Sequence, residues 1–388
     1  MQKNKFLIFL IILFSSILIY SILTLIIGVY KANKEIEKNY NNIYKLIDPS
    51  IDYSNIYVTK AQYIDNGIKL DIFITSNITP TLIIRSSKYK KTYKLNKISD
   101  NNYTIDLSLN NLENKNYTIY IKTDKERPLK TQLSLLEKIV RSKIANKLVT
   151  FNYNNNYMTF KIEDFNYLYD ILIDPGHGGI DGGAVNSTIK ESQLNLIQSL
   201  YEKERFEQHG LKVKLARDDD TSGMMMGDKE WNRAKQRGYA IGYNGVFAKI
   251  VYSNHHNSSE NTNKTGFEIL VSNKMNSNTL STELKIFKEL LNQYNKNMQN
   301  NTKKIYSRDI ETGNSYDKTD GKIYPFTDYY ATIRIPLELF NVKTVTYEGC
   351  YMSNKENFDW YYNEGYKIMS EIKIKFYVEA LGKIYVSK

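Results

Sequence analysis

Four polar clusters in the second half of the chain carry the residue types that metal-assisted hydrolysis needs. His177 stands between glycines in Asp174-Pro-Gly-His-Gly-Gly179, and Glu191 lies fourteen residues further on. Ser253-Asn-His-His-Asn257 offers two more imidazoles, and Tyr347-Glu-Gly-Cys-Tyr-Met-Ser-Asn354 brings a carboxylate, Glu348. Two imidazoles and a carboxylate are the ligand types of a catalytic zinc site, which keeps a fourth position open. Each cluster also has a plainer reading. A turn histidine can be solvated, and Glu191 alone reads as a first-turn helix acid stabilised by the macrodipole. Glu348 alone reads as a strand-end carboxylate paired with a surface lysine. His255 and His256 compete for one role, because adjacent strand side chains point to opposite faces.

The clusters sit where a sheet would gather them. Ile171, Leu172 and Ile173 read as a buried strand of a parallel sheet, and Pro175 stops it. The glycines that follow permit a tight turn and close approach of a ligand. The second imidazole cluster follows the apolar run 250–252, and the Glu348 cluster follows 342–345. Parallel strands would bring all these carboxyl ends to one edge, the usual site in open α/β sheets. Further strand-like runs, 213–215 and 267–271, alternate with helix-like stretches 193–208 and 282–294, and the last segment, 361–381, is amphipathic. The pattern predicts a doubly wound, mostly parallel α/β fold.

The ordered motifs closely resemble the zinc-dependent N-acetylmuramoyl-L-alanine amidases of the amidase-3 type, which are bacterial cell-wall hydrolases. The resemblance covers roughly residues 167 to 382. It implies His177, Glu191 and His255 as ligands of Zn²⁺, with the pattern Ser-x-His-x-Asn selecting His255 over His256. It implies Glu348 as general base and acid in cleavage of the amide between N-acetylmuramic acid and L-alanine of peptidoglycan. Asp174, Asn257 and His256 are the residues expected to support the ligands or line the groove, with plain solvation the other reading of His256. Arg217 resembles a family arginine of structural rather than catalytic role. The sequence departs from the family at Cys350 and Tyr351, where Gly and Phe are usual, and at Ala248-Lys249, where Ala-Asp is usual. Met224-Met-Met226 lies in a longer loop and reads as a flexible rim or as core packing. Residues 306–330 read as a wall of the substrate groove or as a plain surface loop.

The rest of the chain sets the context. Its 388 residues allow two domains. The net charge of +11 is spread without a basic block, which suits an anionic envelope and argues against a nucleic-acid arm. Residues 6–30 contain no charge and are long enough to cross a bilayer. The expectation is therefore a single-pass protein of the cell membrane. Residues 1–5 would form a cytoplasmic tail, 6–30 an uncleaved transmembrane anchor and 31–50 a stalk, with the catalytic part facing the wall. Residues 51–166 read as a small β-rich, immunoglobulin-like accessory domain, and 167–388 as the catalytic domain. A helix is expected from Leu133 to Ile144, opened by a Ser134/Glu137 capping box, and a hairpin around Asn154-Asn-Asn156. The single cysteine, Cys350, excludes an intrachain disulfide and reads as core. His209, before Gly210 at a helix end, reads as structural.

Peptidoglycan and the membrane are the expected partners, and a protein activator is left open. Other readings are a zinc peptidase cutting another amide of the wall peptide, or a wall-binding scaffold without catalysis. A phosphate cradle at 176–183 is disfavoured, because the required glycine and Lys-Ser/Thr pattern is absent.

Overall fold

Alternation of apolar and polar residues builds the first half of the structure. In β2 (Gly67–Ile74), Ile68, Leu70, Ile72 and Ile74 are buried, as period-two patterning demands. The computed structural model describes residues 55–387 apart from 132–138, 155–156, 188, 221–223, 227–228, 232–233 and 298–301. Before β2 runs β1 (Ile56–Ile64); after it come β3 (Thr81–Arg85), β4 (Lys90–Lys94), β5 (Asn96–Ser99) and β6 (Asn102–Ser108). Then follow β7 (Asn116–Lys122), β8 (Glu126–Pro128), β9 (Lys130–Thr131), β10 (Arg141–Ile144), β11 (Lys147–Asn154) and β12 (Tyr157–Asp164). Where a two-sheet sandwich was expected, the ladders join all twelve strands into one connected sheet. The short strand β9 makes the link, parallel to β1 on one side and antiparallel to β12 on the other. The hairpin of β11 and β12 is as expected. The helix expected over 133–144 is not: Arg141–Ile144 is a strand paired with β11, and 132–138 lie outside the described residues. Ala145, at φ 51°, lies in the turn that returns the chain from β10 to β11, and the ladder between those strands takes up the backbone groups a helix would have used.

The second half is α/β. Its strands are β13 (Tyr169–Pro175), β14 (Val213–Leu215), β15 (Met224–Met226), β16 (Lys229–Trp231), β17 (Ala248–Asn257), β18 (Gly266–Leu270), β19 (Thr302–Arg308), β20 (Ser315–Asp317) and β21 (Val345–Tyr351). Its helices are α1 (Glu191–Gln208), α2 (Ala234–Gly245), α3 (Ser281–Asn297), α4 (Ala331–Phe340), α5 (Lys355–Trp360) and, after one π turn, α6 (Tyr366–Ala380). Seven strands form one sheet in the order β14-β13-β17-β21-β18-β19-β20. β14, β13, β17 and β21 are parallel, whereas β18 runs antiparallel to β21. The sheet is thus mixed, and its site-bearing centre is parallel as expected. Ile171 and Ile173 enter the core shared with α1, α3 and α6, while Leu172 enters the core shared with α2 and α4. Helices therefore cover both faces.

The antiparallel turn of β18 settles the place of the 306–330 segment. Glu268 is level with Glu348, but Leu270 is level with Thr346, so β18 and β19 run away from the site. Tyr324 N–H reaches Asn273 O beyond that far end. The segment, which holds the end of β19, all of β20 and the chain beyond it, lies at the opposite end of the sheet and does not wall the groove.

Among the described residues no helix is long and apolar enough to cross a membrane. That corrects the expectation of a single-pass protein of the cell membrane. The described helices are amphipathic: α6 alone carries Lys367, Glu371, Lys373, Lys375 and Glu379. Residues 1–50, on which the expectation of a tail, anchor and stalk rested, lie outside the described residues.

The two halves share an apolar cluster. Val140, Leu148 and Phe165 pack with Ala240, Ile241, Leu339 and Phe340 of α2 and α4, and Val140 N–H donates to Leu339 O at 2.8 Å. Phe340 is fully buried with its ring edge-on to Tyr239 and pressed against Gly242. Phe340→Ala is expected to lower unfolding free energy by about 3–5 kcal/mol, the usual cost of deleting a buried ring. Urea denaturation would show this as a lower midpoint at unchanged slope; an unchanged midpoint would mean that this cluster contributes nothing.

Candidate metal centre

Three donor atoms converge at the carboxyl ends of β13 and β17. His177 Nε2 lies 3.1 Å and His255 Nδ1 3.0 Å from the same oxygen, Glu191 Oε1. One donor atom from each residue can be chosen so that all lie within 4.8 Å of one another. The two rings are edge to face, with centroids 4.8 Å apart. A donor set of two imidazoles and one carboxylate suits zinc.

His177 is presented by a turn that few sequences could make. After Pro175 the chain reverses, with His177 at φ 61° and Gly178 at φ 118°. A Cβ on Gly178 would sit 2.6 Å from Arg217 Nε, so glycine is required there on two counts. Arg217 fills that space. Its Nε donates to Pro175 O at 2.9 Å, Nη2 to Gly176 O at 3.0 Å and to Ser192 O at 2.7 Å, and Nη1 to Asp219 O at 2.7 Å. The guanidinium fork thus ties the His177 turn to the start of α1, a role for which its fixed planar geometry is suited. Asp174 lies below the turn, fully buried. It accepts from Ser253 Oγ at 2.7 Å and from Arg237 Nη2 at 3.2 Å. These contacts tie it to β17 and α2.

Glu191 is the first residue of α1, the first-turn position at which an acid faces the helix macrodipole. Its carboxylate is buried and accepts Ala184 N–H on Oε2 at 2.9 Å and His256 N–H on Oε1 at 3.0 Å. Burial opposes its charge, but the contacts with His177 and His255 win and hold its pKa well below the usual carboxylate range. The same contact acts on the histidines. Burial opposes charge on His177, yet Glu191 outweighs it and the pKa rises. For His255 burial prevails and the pKa falls, leaving a neutral ring with a lone pair to offer.

The strand alternation that separates His255 from His256 sends the latter inward. His256 is neither solvated nor in the groove: it is buried, its Nδ1–H directed at Asn195 Oδ1 at 2.7 Å and its ring edge-on to Tyr361. Burial depresses its pKa to about 3, so the ring is neutral. It supports the backbone that presents His255. Asn195 in turn donates to Gly176 O at 2.9 Å; nothing in the sequence motif singled it out. Asn257 Oδ1 accepts Ser258 N–H at 3.0 Å and closes the end of β17.

Glu348 is level with His255 on one neighbouring strand and with Glu268 on the other. It is half-buried, and its Oε2 has no hydrogen-bond partner among the described residues. Burial, then the charges of Glu191 and Glu268, push its pKa well above the usual carboxylate range. Glu268 was not legible as a site residue. It is buried and held by Tyr306 OH at 2.9 Å, Tyr351 OH at 2.8 Å and Lys304 Nζ at 3.2 Å. Cys350 is fully buried and unpaired, as expected of core. His209 donates from Nδ1 to Arg205 O at 2.7 Å, accepts Val386 N–H on Nε2 at 3.0 Å and stacks on Tyr385, which makes it structural. Met224–Met226 forms a strand with Lys229–Trp231, and its side chains lie outside what is described.

The second half of the chain is similar to known proteins. The family model Amidase_3, described as N-acetylmuramoyl-L-alanine amidase, matches residues 171–374. The germination-specific N-acetylmuramoyl-L-alanine amidase of Bacillus subtilis is 28% identical over 139 residues, which are 34% of this chain and 56% of the relative. The chain therefore spans about half the length of that curated relative. Among solved structures, the CwlD amidase from Clostridioides difficile in complex with the GerS lipoprotein is 24% identical, with a TM-score of 0.39, covering 55% of this chain and 99% of that one. The catalytic domain of CwlV, an N-acetylmuramoyl-L-alanine amidase from Bacillus (Paenibacillus) polymyxa var. colistinus, is 20% identical, with a TM-score of 0.39, covering 55% and 97%.

Removing one donor from a three-donor site should abolish stable metal binding. His177→Ala is expected to purify without zinc, and the unaltered chain is expected to hold about one ion per molecule in the manner of a three-ligand site. Elemental analysis after dialysis decides this, and stoichiometric zinc in the variant would show that the donor set is wrong.

Proposed function

The chain belongs to the Amidase_3 family of N-acetylmuramoyl-L-alanine amidases, and on that premise we propose that it is a zinc-dependent hydrolase of peptidoglycan. Its substrate is the amide between the lactyl group of N-acetylmuramic acid and L-alanine of the stem peptide. In this reading residues 167–388 are the catalytic domain and 51–166 an accessory domain. The observation that carries it is the convergence of His177, Glu191 and His255 beside a carboxylate, Glu348, whose Oε2 is unengaged.

His177, Glu191 and His255 would hold the ion, and the buried charge of Glu191 between two imidazoles is the environment a divalent cation completes. Zinc bound there supplies Lewis acidity toward a carbonyl and lowers the pKa of a water to about 7. The protein's own contribution is proton transfer and placement. Glu348 Oε2, ionised, takes a proton from the attacking water. The elevated pKa makes it a stronger base than an ordinary carboxylate and so a better acceptor of that proton. It then delivers the proton to the departing alanine nitrogen, which leaves as an amine. Glu268, anchored by two tyrosine hydroxyls and Lys304, stands beside Glu348 and disfavours its charged form through the whole cycle.

Two experiments test this reading. The full chain is incubated with purified peptidoglycan, with and without chelator, and the products are read by mass spectrometry. Stem peptides beginning with L-alanine, lost with chelator and restored by zinc, are expected. Cuts elsewhere in the peptide would make it a peptidase, and absence of any cut with zinc bound would leave a wall-binding scaffold. Glu348→Ala is expected to retain zinc and to lose turnover by roughly 10²–10⁴-fold, the range for removing a general acid–base group. Undiminished turnover would take Glu348 out of the mechanism.

A further inference from the structure

Beneath the metal centre lies a group of charged and polar side chains that the proposed reaction does not use. Glu202 on α1 and Lys373 on α6 have no exposed surface, and Lys373 Nζ lies 2.5 Å from Glu202 Oε1. Gln198 Nε2 and Ser370 Oγ also donate to Oε1, at 2.9 and 2.8 Å. Tyr252 OH and Asn254 Nδ2 donate to Oε2, both at 2.8 Å. Lys373 Nζ stands 5.0 Å from the centre of the Tyr252 ring and 4.7 Å from that of Tyr347. An ion pair buried so completely adds little stability, because desolvation costs about what pairing returns. Apolar residues of similar volume often do as well or better.

What the pair supplies is direction, and Asn254 receives it. Asn254 is fully buried; Nδ2 donates to Ser199 Oγ at 2.9 Å as well as to Glu202, and Oδ1 accepts Lys373 Nζ at 2.6 Å. Both ends of the amide are thereby fixed, one by α1 and the other by α6. The backbone of the same residue carries the load upward: Asn254 O accepts Gly176 N–H at 2.9 Å, one residue before His177. The next residue along the strand is His255. A Cβ on Gly176 would lie 2.4 Å from His255 Nε2, so the two ligand-bearing segments touch at this point.

We propose that Asn254, clamped by the Glu202–Lys373 pair, is the positioning residue that sets the separation of His177 and His255. The inference rests on reading His177, Glu191 and His255 as a metal centre. An apolar residue at 254 would fill the volume but would not fix the rotation of the peptide between Asn254 and His255. Groups that orient ligands in this way typically govern metal affinity by roughly 10–100-fold.

The test uses the full chain as unaltered protein, Asn254→Leu, the double variant Glu202→Leu/Lys373→Met, and Ser370→Ala. Zinc affinity is measured by chelator competition, ligand geometry by the visible absorption bands of the Co²⁺-loaded protein, and folding by thermal melting. Asn254→Leu and the double variant are expected to melt below the unaltered protein, because each leaves buried polar groups unpaired, but to be folded at the assay temperature, to lose roughly 10–100-fold in zinc affinity, and to shift the cobalt bands. Ser370→Ala removes a donor to Glu202 without touching Asn254, and should leave affinity and spectrum unchanged. If the double variant does not fold, Asn254→Leu, which keeps the ion pair, decides alone. Unchanged zinc affinity and cobalt bands in Asn254→Leu overturn the inference, as does an equal loss in Ser370→Ala. Unaltered protein that takes up no metal overturns the metal-centre reading and the inference together, whereas metal bound equally by all variants overturns the inference alone.

Discussion

A carboxylate taken out of water between two imidazoles is the constraint on which the site depends. Glu191 is only 4% exposed, and an ionised group so buried is tolerable only when its oxygens are fully engaged. Two backbone N–H groups and two histidines engage them. Meeting that demand draws together three segments distant in sequence: the turn after β13, the first residue of α1 and the end of β17. The fold supplies the closeness by laying β13 and β17 side by side in parallel, with Pro175 level with Asn254. Arg217 then holds the turn by its backbone carbonyls, a task for which only the glycine at 178 leaves room.

The same sheet places a second carboxylate in a contrasting environment. Glu191 is surrounded by donors and stays charged, whereas Glu348 has Glu191 and Glu268 as its charged neighbours and resists ionisation. Two carboxyl groups whose pKa values are driven apart can take different roles, one as ligand and the other as proton carrier. The separation arises from strand register. Glu268 is level with Glu348 because β18 runs antiparallel to β21, and Tyr306, Tyr351 and Lys304 hold its carboxylate in place there.

The polar layer under the site and the apolar layer on the other face divide the work of the fold. Toward α1 and α6, β17 sends Tyr252, Asn254 and His256 into a hydrogen-bonded network. Toward α2 and α4, Leu172 and Val251 enter the apolar cluster that also receives Val140 and Phe165 from the β-rich half. The β-rich half thus adds to the scaffold on the face away from the polar network. The 306–330 segment sits at the far end of the strands.

The sequence by itself determined the local chemistry and the parallel centre of the sheet. A strand stopped by Pro175, a glycine turn around His177, a helix opened by Glu191 and a strand ending at His255 follow from residue types and period, because these are short-range steric and hydrophobic rules. The inside position of Cys350 and the capping role of His209 were legible for the same reason. What the sequence could not decide depended on strand order and on what burial does to polar groups. Strand alternation separated His255 from His256, but the packing of α1 against β17 made His256 a buried neutral support instead of a solvated ring. The reversal of β18 carried 306–330 to the far end of the sheet and brought Glu268 beside Glu348, since an antiparallel strand and the strand parallel to it run opposite to the site-bearing ones. Over 141–144 a ladder to β11 took the place of the expected helix, because cross-strand pairing with a distant part of the sheet outweighs a local periodic pattern of apolar residues. The Glu202–Lys373–Asn254 clamp, spanning α1, α6 and β17, had no trace in local spacing; only the closing of the fold around two buried charges created it.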